Sequence, residues 1–362
     1  MKRINLLWIV AISFCFAQCG AKETQKEESK PQIKNVILMI GDGMGVSQVY
    51  AGMTANHNQL NLERTQYIGF SKTYSASDYV TDSAAGGTAI ATGTKTKNGM
   101  VGIDSVGNPV KSALAYAAEN DLSTGIVVSC NLTHATPASF IAHQKDRGMT
   151  QEIAADFLTT PFTVAIGGGR KDFEQRKDEQ NITEQLRSNG YQVAYTLEEA
   201  KQIKSGKLIA LTAEDHPAKY PERGELLPEG VGLALDILSQ NDNGFFLMVE
   251  GSQIDWGGHS NDTEMIAQEM QDFDRAIKVA FDFADTHPGT LVVITADHET
   301  GGMSLNGGDF EVGTVQARYT TKSHSGVMVP VYAYGSGAED FAGIYENTDL
   351  LGKILRFYNI TP

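Results

Sequence analysis

The chain has 362 residues, 41% of them apolar, and carries 29 basic against 44 acidic side chains, a formal net charge of −15. That length is enough to bury a large core, in a single elaborated α/β domain or in two domains. The acidic balance excludes a surface that attracts nucleic acid or anionic membrane through charge alone, so attraction for any anionic ligand must be local.

Lys2 and Arg3 precede an apolar run over residues 6–16, which ends at Ala17-Gln18-Cys19-Gly20. Residues 1–20 therefore have the layout of a secretory signal, too short for a comfortable membrane span. Export is expected, either by simple cleavage or with Cys19 as the lipidated first residue of a bacterial lipoprotein. Gln18 and Phe16 depart from the small residue and Leu usual in the second case. Removing residues 1–20 takes away two basic side chains and leaves 27 basic against 44 acidic, a net of −17. Residues 21–33, rich in Lys and Glu, read as a flexible tether, and residues 34–362 as the folded body. Cys130 is the one cysteine of that body and reads as a buried strand thiol.

Residues 35–40, Asn-Val-Ile-Leu-Met-Ile, form a continuous apolar run that predicts a strand buried on both faces. It ends at Gly41-Asp42-Gly43-Met44-Gly45, where the glycines allow a close approach to the backbone. A glycine-rich turn after a first strand also opens dinucleotide-binding folds, with Glu63 about twenty residues on. The third glycine is missing, however, and Asp42 would face a pyrophosphate, whereas a cation makes sense of that carboxylate.

Residues 79–93 predict a helix of small residues that opens at Asp82 or Ser83 and is stopped by Gly93. Ser83 is either an ordinary N-cap or a nucleophile at an anion-stabilising helix start. No Gly-x-Ser-x-Gly elbow accompanies it, so a metal would have to activate the hydroxyl. A third strand over residues 126–130 leads into Asn131-Leu132-Thr133-His134-Ala135-Thr136-Pro137, again polar where a strand ends. Arg147 is a surface cation or, by its fork geometry, a group for phosphate or carboxylate. His57, His143, His216 and His287 read as structural.

Residues 163–243 show no obvious ligands. A strand and turn are expected over 164–169, surface helices over 181–188 and 197–203, and a loop marked by Pro217, Pro221 and Pro228. The run Phe245-Phe246-Leu247-Met248-Val249 then predicts another buried strand, ending in Glu250 with Asp255 and His259 close behind. Gly257 and Gly258 argue against a helix between Asp255 and His259, which places both on a loop. Oxygen and imidazole donors together suit zinc, and oxygen alone suits magnesium. Ile266, Met270, Phe273, Ile277, Ala280 and Ala284 share one face of a long amphipathic helix that covers the sheet. Residues 291–296 form the next strand and close on Asp297-His298, which can serve one ion only if the chain turns there. A small hairpin subdomain is expected over 303–323, followed by His324 and a strand over 329–334. Asp42, Thr136, Glu250 and Asp297 all follow strands of one mostly parallel sheet, so they should gather along one edge.

Taken together, these residues resemble the alkaline phosphatase family from about residue 35 to residue 335, in the family's order. The resemblance rests on Gly-Asp-Gly-Met-Gly around Asp42, Val-Thr-Asp-Ser-Ala-Ala around Ser83, His-Ala-Thr-Pro around Thr136, Val-Glu-Gly with Asp255 and His259, Thr-Ala-Asp-His at Asp297, and Ser-His-Ser-Gly at His324. It implies a three-layer α/β/α fold with a central mostly parallel sheet and a small crown-like β insertion. It also implies a phosphomonoesterase of broad specificity, working through a phosphoserine on two zinc ions and one magnesium. By the same resemblance Ser83 is the nucleophile and Arg147 the phosphate clamp. Asp255, His259 and His324 would hold one zinc, and Asp42, Asp297 and His298 with Ser83 the other. Asp42, Thr136 and Glu250 would hold magnesium, with His134 in the outer shell. The pair His134 and Trp256 departs from the family, where an Asp and a Lys or two histidines stand. The chain is short for the family, and a homodimer is implied. A diesterase, a metal-dependent mutase and an exported phosphate- or metal-binding lipoprotein remain as alternatives. A sulfatase needs a modified Cys or Ser in a motif that Thr81-Asp82-Ser83-Ala84 does not supply.

Overall fold

Apolar runs of five to seven residues, too short for ordinary helices, become strands because both of their faces can be covered. The computed structural model describes residues 33–361, and its strands are β1 (Asn35–Gly41), β2 (Tyr67–Lys72), β3 (Ser123–Asn131), β4 (Val164–Gly168), β5 (Tyr191–Ala194), β6 (Lys207–Leu211), β7 (Phe245–Gly251), β8 (Thr290–Thr295), β9 (Glu299–Thr300), β10 (Met303–Asp309), β11 (Thr314–Tyr319), β12 (His324–Ser325), β13 (Val329–Gly335) and β14 (Gly343–Glu346), the apolar runs lying in β1, β3, β4, β7 and β8. The expected signal over 1–20, with Cys19, and nearly all of the tether lie outside the described residues.

Ten strands make one sheet in the order β14-β2-β13-β8-β1-β7-β3-β4-β6-β5. Every neighbouring pair is parallel except those of β13, which runs antiparallel to both β2 and β8. The central strand β1 is in register with β7 and β8, pairing Ile37 with Leu247 on one side and Val292 on the other. Alternate side chains serve two cores: Ile37 and Met39 pack on one face with the helices Leu226–Leu238 and Thr263–Thr286. Val36, Leu38 and Ile40 pack on the other with Ile90, Phe140 and Leu350. Each such side chain contributes about 1.5–3 kcal/mol on burial, which holds the strand ends in fixed register. The mostly parallel α/β/α arrangement expected from the sequence is the one observed.

Two expectations need correction here. The loop placed at Pro217, Pro221 and Pro228 ends early, because Pro228 lies inside the first turn of the helix Leu226–Leu238. Proline is tolerated there, since the amides of a first turn have no intrahelical partner to lose. Asp255 and His259 are not on a loop but on the helix Ile254–Ser260. Glycine costs about 1 kcal/mol in a helix, but packing overrides propensity here. A Cβ on Gly258 would come within 2.8 Å of the Thr300 side chain, and one on Gly257 within 2.8 Å of Ile266.

The hairpin β10–β11 forms its own two-stranded sheet and stands against the helices Val46–Ala55 and Thr263–Thr286. The loop after β6 is tied down by Arg223, whose Nη1 donates to Glu269 Oε1 at 2.9 Å and whose Nε donates to Asp272 Oδ2 at 3.0 Å, all three side chains being buried. Among the described residues no helix is long and apolar enough to cross a membrane.

Candidate active site

Strands β8, β1, β7 and β3 are consecutive in the sheet, and their carboxyl ends supply the site. Asp42 follows β1 directly, Glu250 is the penultimate residue of β7, and Asp297 lies two residues past β8. Thr136 is carried a little further, on the first turn of the helix Ala135–Ile141 after β3. All four side chains are fully buried. Gly43 permits this crowding: its φ is +73°, and a Cβ there would lie 2.8 Å from both the Asp255 backbone and the Thr300 hydroxyl. What approaches that glycine is protein, not a dinucleotide.

Ser83 opens the helix Ser83–Thr92, but Asp82 is the N-cap, accepting a bond from the amide of Ala85 at 2.9 Å. Ser83 Oγ is therefore free of capping duty and stands 3.2 Å from His298 Nε2. The small residues of this helix allow it to sit close to the strand end, with a Cβ on Gly86 meeting the Asp297 carbonyl at 3.0 Å. Asp82 does a second task that sequence reading missed. Its Oδ2 accepts from Arg147 Nη1 at 3.2 Å and so ties that guanidinium to the residue that precedes the serine.

The donors fall into three groups whose ligand atoms lie within 4.8 Å of one another: Asp42, Asp297 and His298; Asp255, His259 and His324; and Cys130, His134 and Glu250. In the first, His298 Nε2 is 3.2 Å from Asp297 Oδ2 and 3.5 Å from Asp42 Oδ1. The turn that Asp297-His298 required is made, and the amides of Gly43 and His298 hold Asp297 Oδ1. In the second, Asp255 Oδ2 is 3.3 Å from His259 Nε2, and the helix puts the two residues on one face. His259 Nδ1 donates to the Lys322 carbonyl at 2.7 Å and His324 Nδ1 to the Thr81 carbonyl at 2.8 Å, so both rings turn Nε2 toward Asp255. Those two Nε2 atoms face one another at 3.2 Å, a contact that needs either a shared proton or a cation.

Electrostatics point the same way. Burial and the neighbouring carboxylates hold Asp42 well above the usual carboxylate range and push Asp297 up to about 8. Burial likewise raises Glu250 to about 7. Burial opposes ionisation of Asp255 too, but the hydrogen bond from His259 and the nearby imidazoles hold it below its ordinary value. Asp42 Oδ1, Glu250 Oε1 and Asp297 Oδ2 are buried without a hydrogen-bond partner. Orphaned buried carboxylate oxygens cost several kcal/mol unless a cation meets them, so the residues present fit bound divalent ions.

His134 and Trp256 lie together at the rim, with ring centroids 6.3 Å apart. His216 packs against both, 4.8 Å from Trp256 and 5.8 Å from His134. His216, read as structural, lies in the segment without motifs and accepts at Nδ1 from the amide of Asn131 at 3.2 Å. Thr300, also missed, donates its hydroxyl to Asp255 Oδ1. Desolvation and the Arg147 charge push His134 down to about 3, so the ring is neutral and its Nε2 accepts from Arg147 Nη2 at 3.3 Å.

A serine at a helix start, set among cation-sized groups of carboxylates and imidazoles at the ends of parallel strands, defines a metal-dependent hydrolytic centre. The alkaline phosphatase family model matches residues 33–318. The chain belongs to that family, the phosphoric monoester hydrolases. It is similar to alkaline phosphatase 4 of Bacillus subtilis, 34% identical over 97% of this chain and 97% of that one. Among solved structures, the alkaline phosphatase of the Antarctic bacterium TAB5 is 38% identical with a TM-score of 0.87, covering 92% of this chain and all of that one. A variant of that enzyme with one histidine replaced by glutamate holds magnesium in its M3 site.

Proposed function

We propose that the chain hydrolyses phosphate monoesters of broad specificity through a phosphoserine, on two zinc ions and one magnesium. The observation that carries this is the placement of Ser83 Oγ, 3.2 Å from His298 Nε2 and released from capping by Asp82. Asp255, His259 and His324 would hold one zinc; Asp42, Asp297 and His298, with Ser83, the other; Asp42, Thr136 and Glu250 the magnesium. When bound, such cations lower the pKa of the serine hydroxyl and neutralise charge on the leaving oxygen and the attacking water. Arg147 orients the phosphoryl group with its paired N–H donors, and Asp82 orients Arg147. Ser83 Oγ bonds to phosphorus as the ester P–O bond breaks; in the second step water oxygen bonds to phosphorus as Ser83 leaves. Two in-line displacements give retention at phosphorus, with positioning and charge supplying most of the rate. The deciding experiment is metal analysis of purified protein beside monoesterase and diesterase assays at alkaline pH. Equal or greater diester turnover would favour the diesterase alternative. The basic and apolar N-terminal layout supports export, to the periplasm or to a lipid anchor at Cys19, and the family resemblance supports a homodimer.

Trp256 brings no charge toward the phosphate, and its indole has one hydrogen to donate. Trp256→Lys is expected to lower the inhibition constant for inorganic phosphate by roughly three- to tenfold, as one added charge-assisted contact would. Competitive inhibition of monoester turnover measures this, and an unchanged or higher constant would count against it.

Cation uptake by the stripped protein should release protons. Ligands must be ionised to bind, and in the absence of a cation Asp297 and Glu250 titrate at about 8 and about 7. Above those values neither of these two carboxyls holds a proton, and the proton that remains in competition is that of His259, raised to about 9 by its hydrogen bond to Asp255. Below them the apparent affinity should fall by roughly tenfold per pH unit for each displaced proton. Competition with a chelating dye between about pH 6 and 9 reads this slope; a flat profile would show that the carboxylates are ionised without a cation.

A further inference from the structure

His134 meets Arg147 through Nε2, which accepts from Nη2 at 3.3 Å, while its other ring nitrogen, Nδ1, is buried with no hydrogen-bond partner. An imidazole bonded at both nitrogens has its plane fixed, whereas one bonded at a single nitrogen swings about that bond unless packing stops it. Two rings stand edge-on to His134 and supply that packing: His216 at an interplanar angle of 82° and Trp256 at 80°, with His216 the nearer.

His216 is pinned from three sides. Its Nδ1 accepts from the amide of Asn131, at the end of β3. On one flank the Asp215 carbonyl accepts from the Gly169 amide at 2.7 Å, and on the other the Pro217 carbonyl accepts from Gln253 Nε2 at 3.0 Å. Gly168 makes room for this segment, because a Cβ there would collide with the Asp215 carbonyl oxygen. At the far end of the chain of contacts, Arg147 donates from Nη1 to Asp82 and from Nη2 to His134. Each terminal nitrogen carries two hydrogens, so one remains on each for a phosphate oxygen, and where the two acceptors stand sets the direction of that remaining pair.

We propose that His216 is a positioning residue for the phosphate clamp: its ring fixes the plane of His134, and His134 in turn holds the fork of Arg147 in the direction that receives the phosphoryl oxygens. The inference rests on the assignment of Arg147 as that clamp. His216 acts through another ring and not on the substrate, so its removal weakens the hold on phosphate without removing a partner of phosphate.

The test separates the two things His216 does, accepting a hydrogen bond and presenting a ring. In His216→Asn the side-chain oxygen takes over the bond from the Asn131 amide and the ring is gone; in His216→Phe the ring stays and the bond is lost. Inhibition of monoester turnover by inorganic phosphate, measured on the metal-loaded full chain, and thermal unfolding are read for both. His216→Asn is expected to raise the phosphate inhibition constant by roughly three- to tenfold with the thermal midpoint unchanged, since an edge-to-face ring contact is what it removes. His216→Phe should keep the constant within about twofold of the natural value and lower the midpoint, because the Asn131 amide then lacks its acceptor. In a His134→Ala background the effect of His216→Asn on the constant should vanish, the ring through which it acts being absent. An unchanged constant in His216→Asn overturns the proposal, and so does an effect of full size in the His134→Ala background. A constant raised as far in a folded His216→Phe as in His216→Asn also overturns it, and if His216→Phe does not fold the other two arms decide. Arg147→Ala is the control and should raise the constant by at least about tenfold. If it does not, the clamp itself falls, whereas a raised constant there beside an unchanged one in His216→Asn sinks this inference alone.

Discussion

Ser83→Ala is expected to lower monoester turnover by at least about 10³-fold while leaving the inhibition constant for phosphate within a few-fold of the natural protein. The two outcomes separate because different atoms carry them. Arg147 and the side chains proposed to hold the cations stay in place when one oxygen is removed, so the anion keeps its positively charged partners. The variant should also fold, since the helix Ser83–Thr92 is capped by Asp82 and alanine is a better helix residue than serine. Steady-state kinetics with phosphate as inhibitor, and acid-quenched labelling of the protein with radioactive phosphate, give both readings. Undiminished turnover in Ser83→Ala would mean that water attacks phosphorus directly and that the serine is only a neighbour.

Chelation should abolish activity by at least about 100-fold and lower the thermal midpoint together, with zinc plus magnesium restoring both. A site loaded at a hundred times its dissociation constant contributes about 2.7 kcal/mol to folding, and that contribution disappears with the ion. Removing it leaves Asp42, Glu250 and Asp297 buried, crowded and short of partners. Monoester assay and thermal unfolding, with elemental analysis to show that stripping is complete, read the effect. Full activity in metal-free protein would remove the basis of the proposed chemistry. Full stability alone would mean that protons replace the cations at no cost, which the raised Asp297 and Glu250 would accommodate only at acidic or neutral pH.

Much of this was legible in the residues because strand ends announce themselves. An apolar run that stops at a carboxylate, repeated at Asp42, Glu250 and Asp297, locates a sheet edge before any coordinates exist. The small-residue helix after Asp82 was legible for the same local reason, its cap and its terminal glycine both lying in the sequence. The Asp255–His259 helix was not, because local propensity argued against glycines whose missing side chains make room for Thr300 and Ile266.

By itself, then, the order of residues determined which segments become strands, which donor types end them, and through its motifs the family to which the chain belongs. Those properties depend on near neighbours in the chain and on periodicity, so they can be read along it. Only the tertiary structure decided that Asp82 pairs with Arg147, that His216 reaches Trp256 and His134, and that Cys130 donates to Glu250. Each of those contacts joins elements far apart in the chain, and packing of whole strands and loops, not any local pattern, sets the distance between them.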